Sequence, residues 1–177
     1  MNRKLPFSPP TQKMEIGYCD TPWGQAFIKY SGHTIYCFEF LKDGHLKQHT
    51  SSIAQNIFKS LFKDPTKFIL EPIGTPFQKD VWAALLEIPK GELRSYADIA
   101  KMIGRPKSVR AVANAIGANP ICIFIPCHRV IRSDGSLGGF SSGIHRKKAF
   151  MQMEGINPPN EGPSSVSPLK FLSTKTR

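Results

Sequence analysis

A short stretch rich in proline and glycine divides the chain and limits it to small units. Residues 71–78 read EPIGTPFQ, in which Pro72, Gly74 and Pro76 interrupt both helix and strand. The chain has 177 residues, 40% of them apolar, enough for one domain or two small ones. We expect an N-terminal domain over 1–73, a second domain over 74–157 and a disordered Pro/Ser-rich tail over 158–177.

Strand patterns dominate the first unit. Two β-rich runs, at about 26–30 and 34–41, are separated by Ser31-Gly32 at hairpin spacing, which predicts a small β-meander. The segment QNIFKSLFKD then predicts a short amphipathic helix that closes at Asp64-Pro65. This compact α+β unit shows no evident chemistry.

Helices dominate the second unit. Thr75 and Pro76 form a good helix start, and the helix they open is stopped by Pro89. A short helix near 95–103, capped by Ser95, and a second near 107–117 are joined by a turn at Gly104-Arg105-Pro106, which has the form of a helix-turn-helix. An alanine-rich packing helix would have the same spacing as the second helix. Arg110 and the surrounding positive charge favour a nucleic-acid face.

The charge of the chain is concentrated in this second unit. The formal net charge is +11, and residues 94–148 carry 10 Lys and Arg against only Asp98 and Asp134. An excess of this kind suits an anionic partner, although a basic surface can also be merely solvated.

No stretch approaches the length of uncharged apolar residues that a membrane span requires, and MNRKLPFSPPTQK lacks the apolar core of a secretory signal. We therefore expect no membrane association and a cytoplasmic location, or a nuclear one if the source is eukaryotic.

The segment after the second helix ends at a cysteine. ICIFIP, residues 121–126, predicts a buried strand that delivers Cys127 at its end. VIRSDGSLGGF follows, with a hairpin signal at Asp134-Gly135 that is typical of a wing after a helix-turn-helix. The helix of HRKKAFMQMEG closes the unit and carries Glu154 near its end.

Cys127 could serve several chemistries. Four irregularly spaced cysteines do not form a disulfide framework, and Cys122, inside the apolar run, is a buried hydrophobe. Zinc is disfavoured for two candidate sets on ligand spacing, and we expect no metal; the sets are Cys122, Cys127 and His128, and Cys19, His33 and Cys37. A redox thiol lacks a resolving Cys-x-x-Cys partner.

A nucleophile remains. A thiol needs a base or positive surroundings to ionise at neutral pH, and His128 and Arg129 follow Cys127 directly. Glu154 is the acid downstream in a well-formed element that could orient the imidazole.

The motif IPCHRVI, preceded by GANP and followed by DGSLGGFSSG and MEG, resembles the O6-alkylguanine-DNA alkyltransferase (methylated-DNA–protein-cysteine methyltransferase) family. The resemblance runs over 75–156, and CDTPWGQAFIKYSGHTIYCFEF resembles the more variable N-terminal domain. It implies an α+β protein in which a small N-terminal α/β domain, ribonuclease-H-like, precedes a C-terminal winged helix-turn-helix alkyltransferase domain.

The resemblance also implies the activity. A single irreversible transfer moves the alkyl group from O6-alkylguanine, and more weakly from O4-alkylthymine, in double-stranded DNA to Cys127. No cofactor is needed, and the protein is expected to be a monomer. In this scheme His128 activates Cys127 through a water and Glu154 orients His128. Asn119 braces the turn before the active-site segment, and Tyr96 donates its hydroxyl to a guanine ring nitrogen.

The resemblance assigns the DNA contacts as well. Arg110 fills the gap left in the stack by the flipped lesion, and Ala111 and Ala115 let the helix approach the minor groove. Ser141 contacts O6, and the backbone carbonyls of Cys127 and Val130 accept from the exocyclic amine. Ser133 and Phe140 complete the nucleic-acid-binding set. Phe140 stands where many members have Tyr, and Ser142 where Gly is common.

Two other functions stay open on the residues alone. One is a helix-turn-helix regulator in which Cys127 is inert or a sensor. The other is a thiol hydrolase that uses Cys127 and His128 with turnover.

Overall fold

The N-terminal half of the chain is built around a four-stranded sheet. In a computed structural model, which describes residues 13–160, β1, β2 and β3 pair antiparallel in that order and β4 lies parallel to β3. The strands are β1 Glu15–Thr21, β2 Gly24–Ser31, β3 Thr34–Phe40 and β4 Ile69–Leu70. The predicted meander is confirmed. Strand β1 escapes prediction because its inward positions carry Gly17 and Cys19 rather than large apolar side chains.

The first helix packs closely on β1. Helix α1, Ser52–Lys63, begins at Ser51, whose Oγ accepts a hydrogen bond from the backbone N–H of Ala54 at 3.3 Å. A Cβ at Gly17 would lie 2.7 Å from Cβ of Ala54, so glycine is what permits this approach. The predicted helix is confirmed and starts three residues before the segment QNIFKSLFKD that predicts it.

Four helices and a small parallel strand pair form the rest of the described chain. They are α2 Pro76–Leu86, β5 Arg94–Ser95, α3 Tyr96–Met102, α4 Val109–Gly117, β6 Val130–Ile131 and α5 Ile144–Met153. Capping boxes fix two helix starts, Thr75 with Gln78 in α2 and Ser95 with Asp98 in α3, because each pair satisfies otherwise free N–H groups. Both predicted starts are confirmed. Helix α4 packs against α2 and α3.

Two predicted elements are wrong. The run at 121–126 is buried but is no strand: Cys122 bridges to Ile125 of the same segment, so the chain turns, with Ile123 at a φ of 69°. The turn at Asp134-Gly135 forms, with Arg132 N–H donating to the Ser136 carbonyl at 2.8 Å. No hairpin strands flank this turn within residues 13–160, because β6 pairs with β5 instead.

The apolar core continues across the predicted boundary at 71–78. The Phe38 N–H donates to the Pro120 carbonyl at 2.8 Å, and the Cys122 N–H donates to the Phe38 carbonyl at 2.9 Å. Arg146 is buried and donates to the Trp23 carbonyl at 2.8 Å. The segment before Cys127 is therefore held by the N-terminal sheet.

The predicted division into domains at residue 73 stays a prediction. The predicted tail lies, beyond Asn160, outside the described residues. Among residues 13–160, no helix has the length and apolar character needed to cross a membrane.

Candidate active site

A cavity of about 340 Å³ lies between α3, α4 and the loop that follows β6. Its walls include Tyr96, Asn114, Cys127, Phe140 and Ser141. All four cysteines are free and buried, and of these four Cys127 alone lines this cavity. Of the four cysteines, Cys127 is therefore the one placed to contact a molecule bound in the cavity.

Cys127 opens a single turn of 3-10 helix, Cys127–Arg129, and is 5% exposed. A hydrogen bond from Cys122 lowers the pKa of Cys127, burial opposes this, and a hydrogen bond from Asn119 and the positive charge of Lys147 lower it further. The net direction is below the ordinary thiol value. Because the thiolate is the nucleophile, these neighbours favour the reactive form.

His128 is fully buried, does not line the cavity, and contacts Glu154, the C-cap of α5. Its Nε2 lies 3.0 Å from Oε1 of Glu154. Burial raises the pKa of Glu154, but hydrogen bonds from His128 and Arg129 and their charges outweigh burial and lower it to about 2. Glu154 is therefore an ionised acceptor at neutral pH.

The tautomer of His128 follows from this partner. Burial lowers the pKa of His128, although Glu154 opposes the shift, so the ring is neutral at neutral pH. Since a carboxylate can only accept, the ring hydrogen must be on Nε2. The Nδ1 atom is then a free base, and it is a buried atom without a hydrogen-bond partner in the described part of the chain.

Arg129 supports Glu154 rather than Cys127. Its Nε and Nη2 donate to the two carboxylate oxygens of Glu154 at 2.9 and 2.7 Å, and its Nη1 donates to the Ile88 carbonyl at 2.5 Å. Such a two-pronged pair fixes the carboxylate in position. The expectation that Arg129 supplies positive charge to the thiol is replaced by this role.

Lys147 is the cation near the thiol, and sequence reasoning missed it. It is 1% exposed, and its Nζ donates to the Val130 carbonyl at 2.6 Å and to the Leu137 carbonyl. Burial lowers the pKa of Lys147 to about 8, although the Cys127 charge opposes this. The Val130 carbonyl, predicted to accept from guanine, thus already accepts from Lys147. Lys147 lies three residues after Ile144 and three residues before Phe150. This helical spacing from two apolar residues was the sequence signal that the lysine faces inwards.

Asn119 joins the two ends of the segment before Cys127. Its Nδ2 donates to the Ile125 carbonyl at 2.8 Å, and its Oδ1 accepts from the Ile121 N–H at 3.0 Å. The residue is buried. These bonds hold the turn that carries Ile123 at positive φ.

Tyr96 lines the cavity at the start of α3. Burial and the nearby Cys127 charge raise the pKa of Tyr96, so its hydroxyl stays protonated and can donate. Gly138 adopts a φ of 69°, and a Cβ there would lie 3.1 Å from the Tyr96 Oη. A side chain at this position would strain the backbone and would press against the Tyr96 hydroxyl.

The predicted nucleic-acid residues divide between surface and core. Arg110 and Ala111 are exposed on α4, Ser133 and Ser141 are exposed, and Phe140 is half-buried. Ala115 is 3% exposed, and its carbonyl accepts from Nε1 of Trp82 at 2.8 Å. Its side chain faces the core, as does that of Val112 one turn earlier. The structure therefore contradicts the predicted contact of the Ala115 side chain with DNA.

Within residues 13–160, no three His, Cys, Asp or Glu side chains are arranged to hold a metal ion. What the site offers is a thiol of lowered pKa at a cavity wall, an oriented neutral base behind it and a phenol donor beside it. That set suits displacement by sulfur at an electrophile bound in the cavity.

Comparisons with known proteins agree with this chemistry. Residues 76–156 match the model of the 6-O-methylguanine DNA methyltransferase, DNA binding domain family. The chain is 35% identical over 167 residues to the methylated-DNA–protein-cysteine methyltransferase of Haemophilus influenzae, covering 87% of this chain and 93% of that protein. It is 53% identical over 148 residues to the probable methylated-DNA–protein-cysteine methyltransferase of Acanthamoeba polyphaga mimivirus, covering 81% and 99%.

A solved structure agrees too. The crystal structure of Mycobacterium tuberculosis OGT in complex with DNA is similar with a TM-score of 0.69 at 34% identity, covering 81% of this chain and 94% of that one. The mixed α/β fold is therefore shared with that structure.

Proposed function

Because the chain belongs to the methylated-DNA–protein-cysteine methyltransferase family and repairs DNA by transferring an alkyl group to a cysteine of its own, we propose that Cys127 is that cysteine. The observation that carries this proposal is that Cys127, among the four cysteines, opens into the cavity. The donor is O6-alkylguanine, and more weakly O4-alkylthymine. Each protein molecule reacts once.

The thiolate of Cys127 attacks the alkyl carbon in line with the C–O bond. A bond forms between Sγ and carbon, the bond from carbon to O6 breaks, and its electron pair passes to the guanine. The lowered pKa of Cys127 supports this step, because a larger thiolate fraction raises the rate at neutral pH. The product is a thioether, which has no good leaving group, so the transfer is irreversible.

The proton of Cys127 passes to Nδ1 of His128 through a water molecule. The free Nδ1 supports this path, because it is the basic nitrogen of the tautomer that Glu154 selects. Glu154 and Arg129 hold the ring and stabilise the imidazolium that forms.

The departing guanine receives a proton at a ring nitrogen from the Tyr96 hydroxyl. The raised pKa of Tyr96 supports this role, since the phenol remains protonated until the base develops negative charge. Ser141 contacts O6, and the backbone carbonyl of Cys127 accepts from the exocyclic amine. The Cys127 carbonyl already accepts from the Val130 N–H, and the Val130 carbonyl already accepts from Lys147, so each would accept the guanine amine as a second hydrogen bond.

DNA lies along α4 through its minor groove. Exposure of Arg110 and Ala111 supports this orientation, since bulk beside Arg110 would hold the groove away. Arg110 occupies the gap in the stack when the lesion is flipped into the cavity, a step that costs a few kcal/mol and less for a poorly paired base. Ser133, exposed after β6, contacts the backbone of the DNA.

We further infer that residues 13–73 form a ribonuclease-H-like α/β domain. The antiparallel β1–β2–β3 order with α1 on one face supports it. Residues 74–157 form a winged helix-turn-helix domain, supported by the contact of α3 with α4 and by the turn at Asp134-Gly135. In this arrangement the wing is a loop rather than a hairpin.

Intact-mass measurement after incubation with an O6-methylguanine duplex tests the acceptor. The wild type should gain one methyl group per chain, and Cys127→Ser should gain none. Cys37→Ser, which changes a buried cysteine of β3 away from the cavity, is the matched control and should react normally. Methylation of Cys127→Ser would overturn the proposal. DNA binding without any mass gain would indicate a regulator, and repeated turnover would indicate a hydrolase.

A further inference from the structure

A buried arginine joins the cavity wall to the N-terminal sheet. Arg146 lies in the first turn of α5 and is 5% exposed. Its Nε donates to the Trp23 carbonyl at 2.8 Å, its Nη1 to the Ser142 carbonyl at 2.6 Å and its Nη2 to Oδ1 of Asp43 at 2.9 Å. Each nitrogen of the guanidinium therefore holds a different segment of the chain.

Two of these segments belong to the N-terminal sheet and the third to the site. Trp23 lies in the turn between β1 and β2, and Asp43 lies in the loop after β3. Ser142 directly follows Ser141, which lines the cavity. The guanidinium thus connects two loops of the sheet with the wall against which the lesion would lie.

The surroundings of this guanidinium match its shape. Its Cζ lies 5.0 Å from the centroid of the Phe40 ring, a distance at which a cation is attracted to an aromatic face. A Cβ at Gly24 would lie 2.9 Å from Nη2, so the glycine leaves room for the group. A lysine carries all its donors on one nitrogen and could not replace three separate contacts.

The neighbouring residue of α5 holds the other end of the same wall. Lys147 donates through its Nζ to the Leu137 carbonyl. Leu137 and Ser142 flank residues 138–141, which include three residues of the cavity wall, Gly139, Phe140 and Ser141. Two adjacent buried cations therefore fix both ends of this part of the wall, and Arg146 ties its end to the N-terminal sheet.

We propose that Arg146 is a positioning residue that fixes the cavity wall at residues 139–141 against the N-terminal sheet and so sets the rate of transfer to Cys127. The inference rests on the proposed function, in which Cys127 accepts the alkyl group and Ser141 contacts O6. A displaced wall would hold the alkyl carbon out of line with Sγ, and small displacements of reacting atoms cost large factors in rate. Arg146 does not line the cavity, so it acts through the wall.

The affinity for DNA should not depend on this contact. The proposed DNA surface is on α4, which packs against α2 and α3. Loss of the Arg146 contacts should therefore lower the limiting rate of transfer at saturating DNA and leave the half-saturating DNA concentration unchanged. A merely structural role would lower the limiting rate only in proportion to the folded fraction.

Four variants test the contact from both of its sides. Arg146→Met keeps a long unbranched side chain and removes all three donors. Asp43→Ala removes one acceptor without changing α5 or the wall, and Asp43→Asn keeps an oxygen that can accept from Nη2. His145→Ala is the matched control, because Nε2 of His145 lies 3.9 Å from Oδ2 of Asp43 and its loss leaves the guanidinium contacts in place.

Methylation of Cys127 is followed by intact mass over a range of O6-methylguanine duplex concentrations, and circular dichroism of the same samples gives the folded fraction. For Arg146→Met we expect a limiting rate about tenfold below wild type, after correction for the folded fraction, with an unchanged half-saturating concentration. Asp43→Ala should lose about twofold to threefold, because its carboxylate is exposed and the two carbonyl contacts of Arg146 remain. Asp43→Asn and His145→Ala should keep the wild-type rate.

A wild-type limiting rate in folded Arg146→Met, or a loss that only matches its unfolded fraction, would overturn the inference alone, since Cys127 would still be labelled. If Arg146→Met does not fold, Asp43→Ala decides: a rate below that of His145→Ala supports the contact, and equal rates overturn it. Methylation of a residue other than Cys127 in the wild type would instead remove the proposed function.

Discussion

Replacing Asn119 by alanine should lower the free energy of unfolding by about 3 kcal/mol, because one side chain satisfies two backbone groups in a buried turn. The Ile121 N–H would lose Oδ1, its acceptor at 3.0 Å, and an unsatisfied buried N–H costs about 1–3 kcal/mol. The Ile125 carbonyl would lose a bond of 2.8 Å but keep the one from the Cys127 N–H, a loss of about 1 kcal/mol.

Urea unfolding followed by the fluorescence of Trp23 and Trp82 measures this loss. The matched control is Asn114→Ala, which removes the same side chain from an exposed position of α4 and should change stability by less than about 0.5 kcal/mol. A loss for Asn119→Ala no larger than that of the control would refute the reasoning. Methyl transfer should also slow, since the turn that presents Cys127 would be loosened.

Three further outcomes are expected. Arg110→Ala should slow transfer from an O6-methylguanine duplex far more than from free O6-benzylguanine, because the free base needs no flipping; equal losses in the two rates would contradict the role. Gly138→Ala should reduce the rate of transfer, because the new Cβ would lie 3.1 Å from the Tyr96 Oη and would displace the tyrosine. Gly135→Ala is the control in the same rate assay: its φ is also positive, but its Cβ would meet nothing within 4 Å, so it shows the effect of backbone strain without the clash. Lys147 has a folded-state pKa of about 8 against an ordinary 10.5, so between these pH values the unfolded chain binds the extra proton and the stability due to Lys147 rises with pH. Unfolding titrations should show wild type gaining about 3 kcal/mol relative to Lys147→Met across that range, and a constant difference would contradict the assignment.

Local rules predict much of the fold. The starts of α2 and α3 follow from Thr75 and Ser95, because a capping box needs only residues within one turn. The meander follows from alternation and a turn signal. The run at 121–126 defeats the same rules, since a short apolar segment has the composition of a strand whether it extends or folds back. Two contacts fold this run back: the hydrogen bonds of the Asn119 side chain, and the backbone pairing of the run with Phe38, which joins distant parts of the chain.

The site was predictable to the extent that its residues act through their own chemistry. Cys127, His128 and Glu154 are reactive types, and the motif drew attention to them. Lys147 and Arg129 are basic residues in a basic segment, so nothing in their type distinguishes the buried Lys147 and the half-buried Arg129 from solvated neighbours. Ala115 was misplaced although its spacing of three from Val112 indicates the inner face of α4. Periodicity should therefore take precedence over composition when a helix face is assigned.

The outer edge of β3 is covered by two short pieces, β4 at Thr34 and Ile35 and the residues at 120–122 beside Phe38. A chain ended near residue 73 would lose the second piece and leave the Phe38 N–H and carbonyl without their partners. An open strand edge of this kind is a template for pairing with another chain. The isolated N-terminal half should therefore self-associate, and in the longer chain residues 120–122 cover the strand edge through which it would do so.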